Sequence, residues 1–192
     1  SDMKRERKAA HIDPKAKGKG RDKNIDKRHK GSKRRAVVKE VSIRTKIIWM
    51  FVLTAVTLIA YYPAFDNEIT SWDDEFYINE NPYLELTSEN VKELFKFDTY
   101  YMGNYHPLSM VSLSVDYMIG GVDEEGNIKP FMFHFTNILL HVLVTLLVFW
   151  FVLALLKNFN IAIIAALLFG VHTLHVESVA WISERKDVLY AF

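Results

Sequence analysis

There is no cysteine in this chain of 192 residues. Disulfides, thiolate nucleophiles and thiolate-held metals are excluded, and no redox compartment is selected. Basic residues are nearly absent after residue 46, where six Lys or Arg face 17 Asp or Glu. The first 46 residues hold 18 Lys or Arg against six acids, an asymmetry hidden by the net charge of +1. That basic segment has no Phe, Tyr or Trp, so it offers no platform for base stacking, and nucleic acid is not expected as a partner. Also missing are a Gly-rich phosphate loop, a Rossmann pattern and a Ser, His, Asp order suited to a nucleophilic relay. A nucleotide-dependent soluble enzyme has no support.

Long apolar runs are present instead. Residues 47–62 carry no charge and follow Arg44 and Lys46. With their flanks they approach the ~20 residues that span hydrocarbon. Residues 131–156 are 26 residues without Lys, Arg, Asp or Glu. Residues 159–171 begin a third run after a short turn, which makes it the antiparallel neighbour of the second. The expected fold class is an all-α polytopic membrane protein of antiparallel transmembrane helices. Its expected organisation is a disordered basic tail over 1–45, a first span over 46–63 and a loop over 64–130. A second span over 131–156, a third with its polar exit over 159–181, and a loop opening a fourth over 182–192 complete it. The chain is expected to be the N-terminal part of a longer protein. By the positive-inside rule the basic N-terminus is cytoplasmic, so the 64–130 loop emerges on the other side.

That loop holds 14 carboxylates against Lys92, Lys96 and Lys129. Thr87 or Ser88 can cap a short helix with Val91, Leu94 and Phe95 on one face. Pro107 can open a second helix whose Leu108, Val111, Val115 and Met118 share helical spacing, with Gly120-Gly121 as its stop. Both can lie in the membrane interface, apolar face down.

Candidate chemistry begins at Asp73 and Asp74, followed by Glu75, just after the first span. Carboxylates there can act as general base on a hydroxyl or hold a divalent cation; a solvated acidic turn is the plain alternative. His134, Asn137 and His141 share one face of the second span, either lining a site or locking the bundle by hydrogen bonds. His172, His175 and Glu177 can shape a pocket or ligate a metal, but lack the spacing of a zinc-peptidase helix. Arg185 stands where a guanidinium can meet a lipid phosphate. His106 and Asp116, taken alone, fit capping and surface roles. No metal ligand set is assigned.

Four blocks in order carry a resemblance. They are Trp72-Asp73-Asp74 with Asn81-Pro82; Tyr105-His106-Pro107-Leu108-Ser109; Phe133-His134-Phe135-Thr136-Asn137-Ile138-Leu139-Leu140-His141; and His172-Thr173-Leu174-His175-Val176-Glu177 with Arg185-Lys186-Asp187. Over residues 47–192 the chain resembles the N-terminal part of the transmembrane and tetratricopeptide-repeat O-mannosyltransferases and their bacterial relatives, within the C-type glycosyltransferase superfamily. The resemblance implies transfer of a sugar, with mannose as the candidate, from a polyprenyl-phosphate carrier to a hydroxyl on a protein or glycan at the extracytoplasmic face. It implies Asp73 and Asp74 as the catalytic acids. His106, His134, Asn137, His141, His172, His175, Glu177 and Arg185 are then expected around the substrate and its lipid phosphate. No cofactor is firmly expected, although a divalent cation is compatible. The implied setting is a multi-pass membrane protein, such as one of a bacterial inner membrane, with membrane lipid as a partner. Two departures stand out: Thr173 follows His172 where the family often has proline, and Lys186 follows Arg185 where many members have a small residue. The competing expectations are a non-catalytic membrane anchor for a repeat region, and a haem or metal protein.

Overall fold

The computed structural model describes residues 41–192. Most of the basic segment 1–45 therefore lies outside the described residues. Helix α1 (Ile43–Tyr61) begins before the uncharged run because Ser42 caps it, its hydroxyl accepting from the Thr45 amide at 3.2 Å. A 3-10 turn, Tyr62–Asp66, continues it around Pro63. The loop that follows contains a π-helical turn (Glu75–Asn79), α2 (Ser88–Leu94) and α3 (Pro107–Gly120). Thr87 caps α2 through the Asn90 amide, and Pro107 opens α3. Helix α4 (Phe131–Leu156) has the same ends as the second uncharged run.

A tight reversal separates α4 from α5 (Phe159–Val171). Lys157 takes a left-handed conformation with φ 52°, and the Asn158 side chain caps α5 by accepting from the Asn160 and Ile161 amides. The third apolar run is not one straight helix. It breaks at His172 and continues, bent by 46°, through the turn Thr173–His175 into α6 (Val176–Ala180). The His172 ring caps that turn at the Leu174 amide. Short α7 (Arg185–Ala191) ends the chain. Among the described residues two helices are long and apolar enough to cross a membrane, Ile43–Asp66 and Phe131–Leu156, or three if the bent pair counts as one span. The architecture is that of an all-α membrane protein.

Three apolar clusters organise it. One joins Leu53, Phe149, Ala162, Ile163 and Ala166 between α1, α4 and α5. Gly170 lets these helices approach closely, since a Cβ there would meet the Thr57 hydroxyl oxygen at 2.7 Å. A second, with Tyr61, Ala64, Ile138, Val179 and Val188, lies around the middle of α4. The third holds the loop on the helices through Tyr77, Ile78, Leu84, Leu94, Met110, Leu113, Phe133 and Ile182.

Helix α3 is expected to lie with its apolar face in the membrane interface. Its apolar stripe turns outward, with Leu108 61% and Met118 62% exposed. Ser109, Met110, Leu113, Ser114 and Asp116 are buried instead. The inner face meets polar groups of α4 and α7 through Ser112 and Asp116 and the apolar cluster through Met110 and Leu113, so hydrogen bonding and apolar burial select it together. An outward apolar face suits a membrane interface.

Candidate functional site

The two acids next to each other in sequence have different surroundings. Asp74 is 1% exposed. One of its carboxylate oxygens accepts from the Ser183 amide at 2.8 Å. The other accepts from the Thr70 amide at 3.3 Å and the Thr70 hydroxyl at 3.0 Å. Trp181 donates its indole N–H to the same Thr70 hydroxyl at 3.1 Å. Asp74 thus ties the loop after α1 to the segment between α6 and α7. Asp73 is only partly buried, and its carboxylate accepts no hydrogen bond from the described residues. The neighbouring π-helical turn carries Glu75, which accepts from the Asn79 side-chain amide at 2.8 Å. It also carries Tyr77, which packs inward against His106 with ring centroids 5.5 Å apart. Burial pushes the Tyr77 phenol up, Asn104 and Lys186 pull it down, and Asp73 and Glu184 add to the rise.

Beneath this loop lies a buried polar network. Arg185 is the largest fully buried side chain and is 0% exposed. Its Nε donates to Asn137 Oδ1 at 2.8 Å, and its Nη2 donates to the Phe133 carbonyl at 2.7 Å. Its Nη1 donates to Ser112 Oγ at 3.3 Å and forms an ion pair with Asp116. Asp116 also accepts from the Thr136 hydroxyl at 2.7 Å, and the Asn137 amide donates to the Trp181 carbonyl at 3.0 Å. Burial raises the Asp116 carboxyl, while the Arg185 charge and the Thr136 and Arg185 hydrogen bonds oppose that rise. An ion pair so enclosed holds only because nearly every donor is matched.

Arg185, expected at a lipid phosphate, is thus committed to protein partners in this structure. Lys186 is the cation beside it that keeps partial exposure, and it pairs with Glu184 at 2.7 Å. Asp116, which its position alone left as a surface residue, is the counterion of the core. One signal could have found it: it is the only charged residue between Pro107 and Val122.

The expected polar face of α4 divides. His134 is buried within reach of the Asp74 and Arg185 charges, and both its ring nitrogens lack partners. Asn137 belongs to the arginine network. His141 lies lower, its Nε2 3.1 Å from the Gly170 carbonyl, its ring edge-on to Tyr61 and 5.4 Å from that of His175. A cavity of about 200 Å³ opens there, lined by His141, His175, Ser178, Asp187 and apolar neighbours. His172 and Glu177 are exposed, and Glu177 does not join this cavity. Among the described residues no three His, Cys, Asp or Glu side chains are grouped to hold a metal ion. His106 is buried at the start of α3 with neither ring nitrogen partnered. Burial, followed by the charge of Lys186, lowers its pKa and keeps the ring neutral.

A polar groove of about 640 Å³ runs beside the acidic loop between Glu68, Asn79, Gly126 and Asn127. Its carboxylate and amide rim suits a polar chain better than a lipid tail.

No protein-family model and no solved structure matches the chain. It is similar to protein O-mannosyl-transferase TMTC1 of Homo sapiens, at 39% identity over 87 residues, which is 45% of this chain and 9% of that protein. Protein O-mannosyl-transferase TMTC2 of Mus musculus is 38% identical over 85 residues, 44% of this chain and 9% of the relative. Protein O-mannosyl-transferase Tmtc2 of Drosophila melanogaster is 35% identical over 86 residues, with 45% and 9% covered. The matched part of the chain thus spans about a tenth of the length of these relatives. Over just under half of its own length, the chain is similar to proteins named as protein O-mannosyl-transferases, which supports a glycosyltransferase family.

Proposed function

We propose that this chain forms the acid-bearing part of a membrane glycosyltransferase, one that moves a sugar from a polyprenyl-phosphate carrier to a protein hydroxyl on the extracytoplasmic side. Mannose is the sugar that the relatives' names suggest. The observation that carries the proposal is the division of labour between Asp73 and Asp74. A carboxylate that accepts three hydrogen bonds is held in place and has its lone pairs occupied. A general base needs the opposite, a carboxylate with free lone pairs within reach of the substrate. Asp73 meets that need, and Asp74 positions it.

In the reaction, the acceptor oxygen attacks the anomeric carbon and its proton passes to Asp73. The bond between that carbon and the phosphate oxygen breaks, and the electron pair leaves with the lipid phosphate. Attack opposite the leaving group inverts the anomeric centre. The sidedness follows from the Lys/Arg bias that precedes α1.

The test is transfer of labelled mannose from a polyprenyl-phosphate-mannose donor to a serine- or threonine-containing peptide, in membranes carrying the protein. Asp73→Asn should lower transfer by about 10²–10⁴-fold, the usual contribution of a general base, without lowering thermal stability. Asp74→Asn should lower stability together with transfer, because it removes charge-assisted bonds to Ser183 and Thr70. Unchanged transfer by Asp73→Asn overturns the assignment.

A further inference from the structure

We infer that His141 and His175 form a binding site for a divalent transition-metal ion of the zinc or copper class. The site opens between α4, α6 and α7, shares no lining residue with the acidic loop, and needs nothing from the sugar-transfer reading above.

Three observations converge on that cavity. His141 is 3% exposed, and its Nε2 lies 3.1 Å from the Gly170 carbonyl. A carbonyl only accepts, so Nε2 carries the proton, and in the neutral ring the free lone pair stands on Nδ1. Among the described residues Nδ1 has no partner, and unlike both ring nitrogens of His134 it is not sealed off from open space. A ring N–H tied to a backbone carbonyl is also how proteins orient a metal-ligating histidine. Second, His175 borders the same cavity from the turn Thr173–His175. Its ring centroid lies 5.4 Å from that of His141, with the planes at 47°. Two imidazoles bound at ~2.0–2.1 Å to one tetrahedral ion have centroids about 5 Å apart, so little movement is needed. Third, His141 stands about 15 Å along α4 from Phe131, near the middle of a hydrocarbon span. Polar groups at that depth are costly and mark sites.

The chemistry of the lining selects the ligand. The cavity of about 200 Å³ has room for an ion with several waters, each of ~30 Å³. Its polar border is His141, His175, Ser178 and Asp187, with no Lys or Arg. That set offers lone pairs and one negative charge, so it suits a cation and would leave an anion unmatched. Imidazole nitrogen favours zinc, copper and nickel, whereas magnesium and calcium prefer oxygen. Asp187 accepts from the Ser178 hydroxyl at 3.5 Å and does not close on the histidines, and no three-ligand group forms among the described residues. Water therefore completes the coordination, and the carboxylate acts through its charge. His172 does not line the cavity; its Nδ1 accepts from the Leu174 amide and its ring lies 6.3 Å from that of His175. An ion on His141 and His175 would join α4 to the turn beyond His172 and hold the 46° bend of the third apolar run.

The test uses the full chain in nanodiscs, without a histidine tag and stripped of metal by a chelator, with Zn²⁺, Cu²⁺ and Mg²⁺ as probes. Zn²⁺ should raise the thermal unfolding temperature and Mg²⁺ should not. Bound Cu²⁺ should show coupling to two nitrogens in its electron paramagnetic resonance spectrum. His175→Gln should weaken Zn²⁺ by about tenfold or more and remove one nitrogen coupling. His141→Gln, which can still donate to the Gly170 carbonyl, should do the same. Should His141→Gln fail to insert, the nitrogen count of the His175→Gln protein decides, and two nitrogens retained there overturn the pair. His172→Gln should leave the Zn²⁺ affinity unchanged. Affinity that falls with His172→Gln and survives His141→Gln would assign the ion to the exposed pair His172 and His175 and overturn the buried site. Stabilisation by Mg²⁺ equal to that by Zn²⁺ would overturn imidazole ligation.

Discussion

The two halves of α4 belong to one helix but are held by different forces. Its C-terminal half buries Phe149 against Leu53, Ala162 and Ala166 and sets Thr145 against Gly170, mostly by shape. Its N-terminal half buries His134, Asn137 and the Phe133 carbonyl against Arg185, Trp181 and the start of α7. In the first half many apolar side chains of similar volume would serve. In the second, Asn137 and the Phe133 carbonyl depend on named partners, and a missing partner leaves a buried charge or donor unmatched. The lower half is a hold on the bilayer-spanning bundle. The upper half is a precise seat for the acidic loop.

Breaking the polar half should cost most. Asp116→Ala leaves the Arg185 guanidinium buried without its counterion and should destabilise the protein by about 3–5 kcal/mol. Replacing both partners, Asp116→Leu with Arg185→Met, should cost clearly less. Thermal unfolding in nanodiscs distinguishes them, and equal losses would mean that the charge imbalance is not the cause. The apolar half should respond to volume alone. Gly170→Ala drives a methyl group to within 2.7 Å of the Thr57 hydroxyl and should cost about 1–3 kcal/mol. Adding Thr57→Ala should recover part of that loss; no recovery would show that the close approach is not what Gly170 protects.

The smallest effect sharpens the comparison through pH. His106 has its pKa lowered below the ordinary 6.5, first by burial and then by Lys186. The unfolded chain therefore binds the proton more readily. The stability tied to a neutral His106 is fully present above pH 6.5 and is lost as pH falls through the lowered value. His106→Gln should flatten that acid limb by a fraction of one proton. An unchanged slope would show that His106 titrates alike in both states.

The helices were largely legible as a pattern. The uncharged run 131–156 is helix α4 itself, because a bilayer-length apolar segment has few other ways to satisfy its backbone. Thr87 and Pro107 mark the starts of α2 and α3 through local bonding and geometry that need no tertiary partner. The change at His172 was legible as the polar end of the run 159–171, but not the 46° bend into a further short helix. The spacing of Leu108 and Met118 fits an outward apolar face on α3, but it did not show that Met110 and Leu113 are buried opposite it. For the candidate site, the short motifs around Asp73, His106 and Asn137 fall on segments that the fold brings near one another. They did not tell Asp73 from Asp74, nor did they pair Asp116 with Arg185 across 69 residues.

Composition and hydropathy thus determined by themselves that this is an all-α membrane protein with an acidic loop after its first long helix. Those are local properties, carried by segment length and the absence of charge. Tertiary structure alone decided which acid is tethered by Ser183 and Thr70 and which keeps its lone pairs. It also decided that Arg185 is spent on Asp116 while Lys186 stays accessible. Hydrogen-bond partners and burial are set by chain segments that meet only after folding, so no spacing along the sequence can assign them.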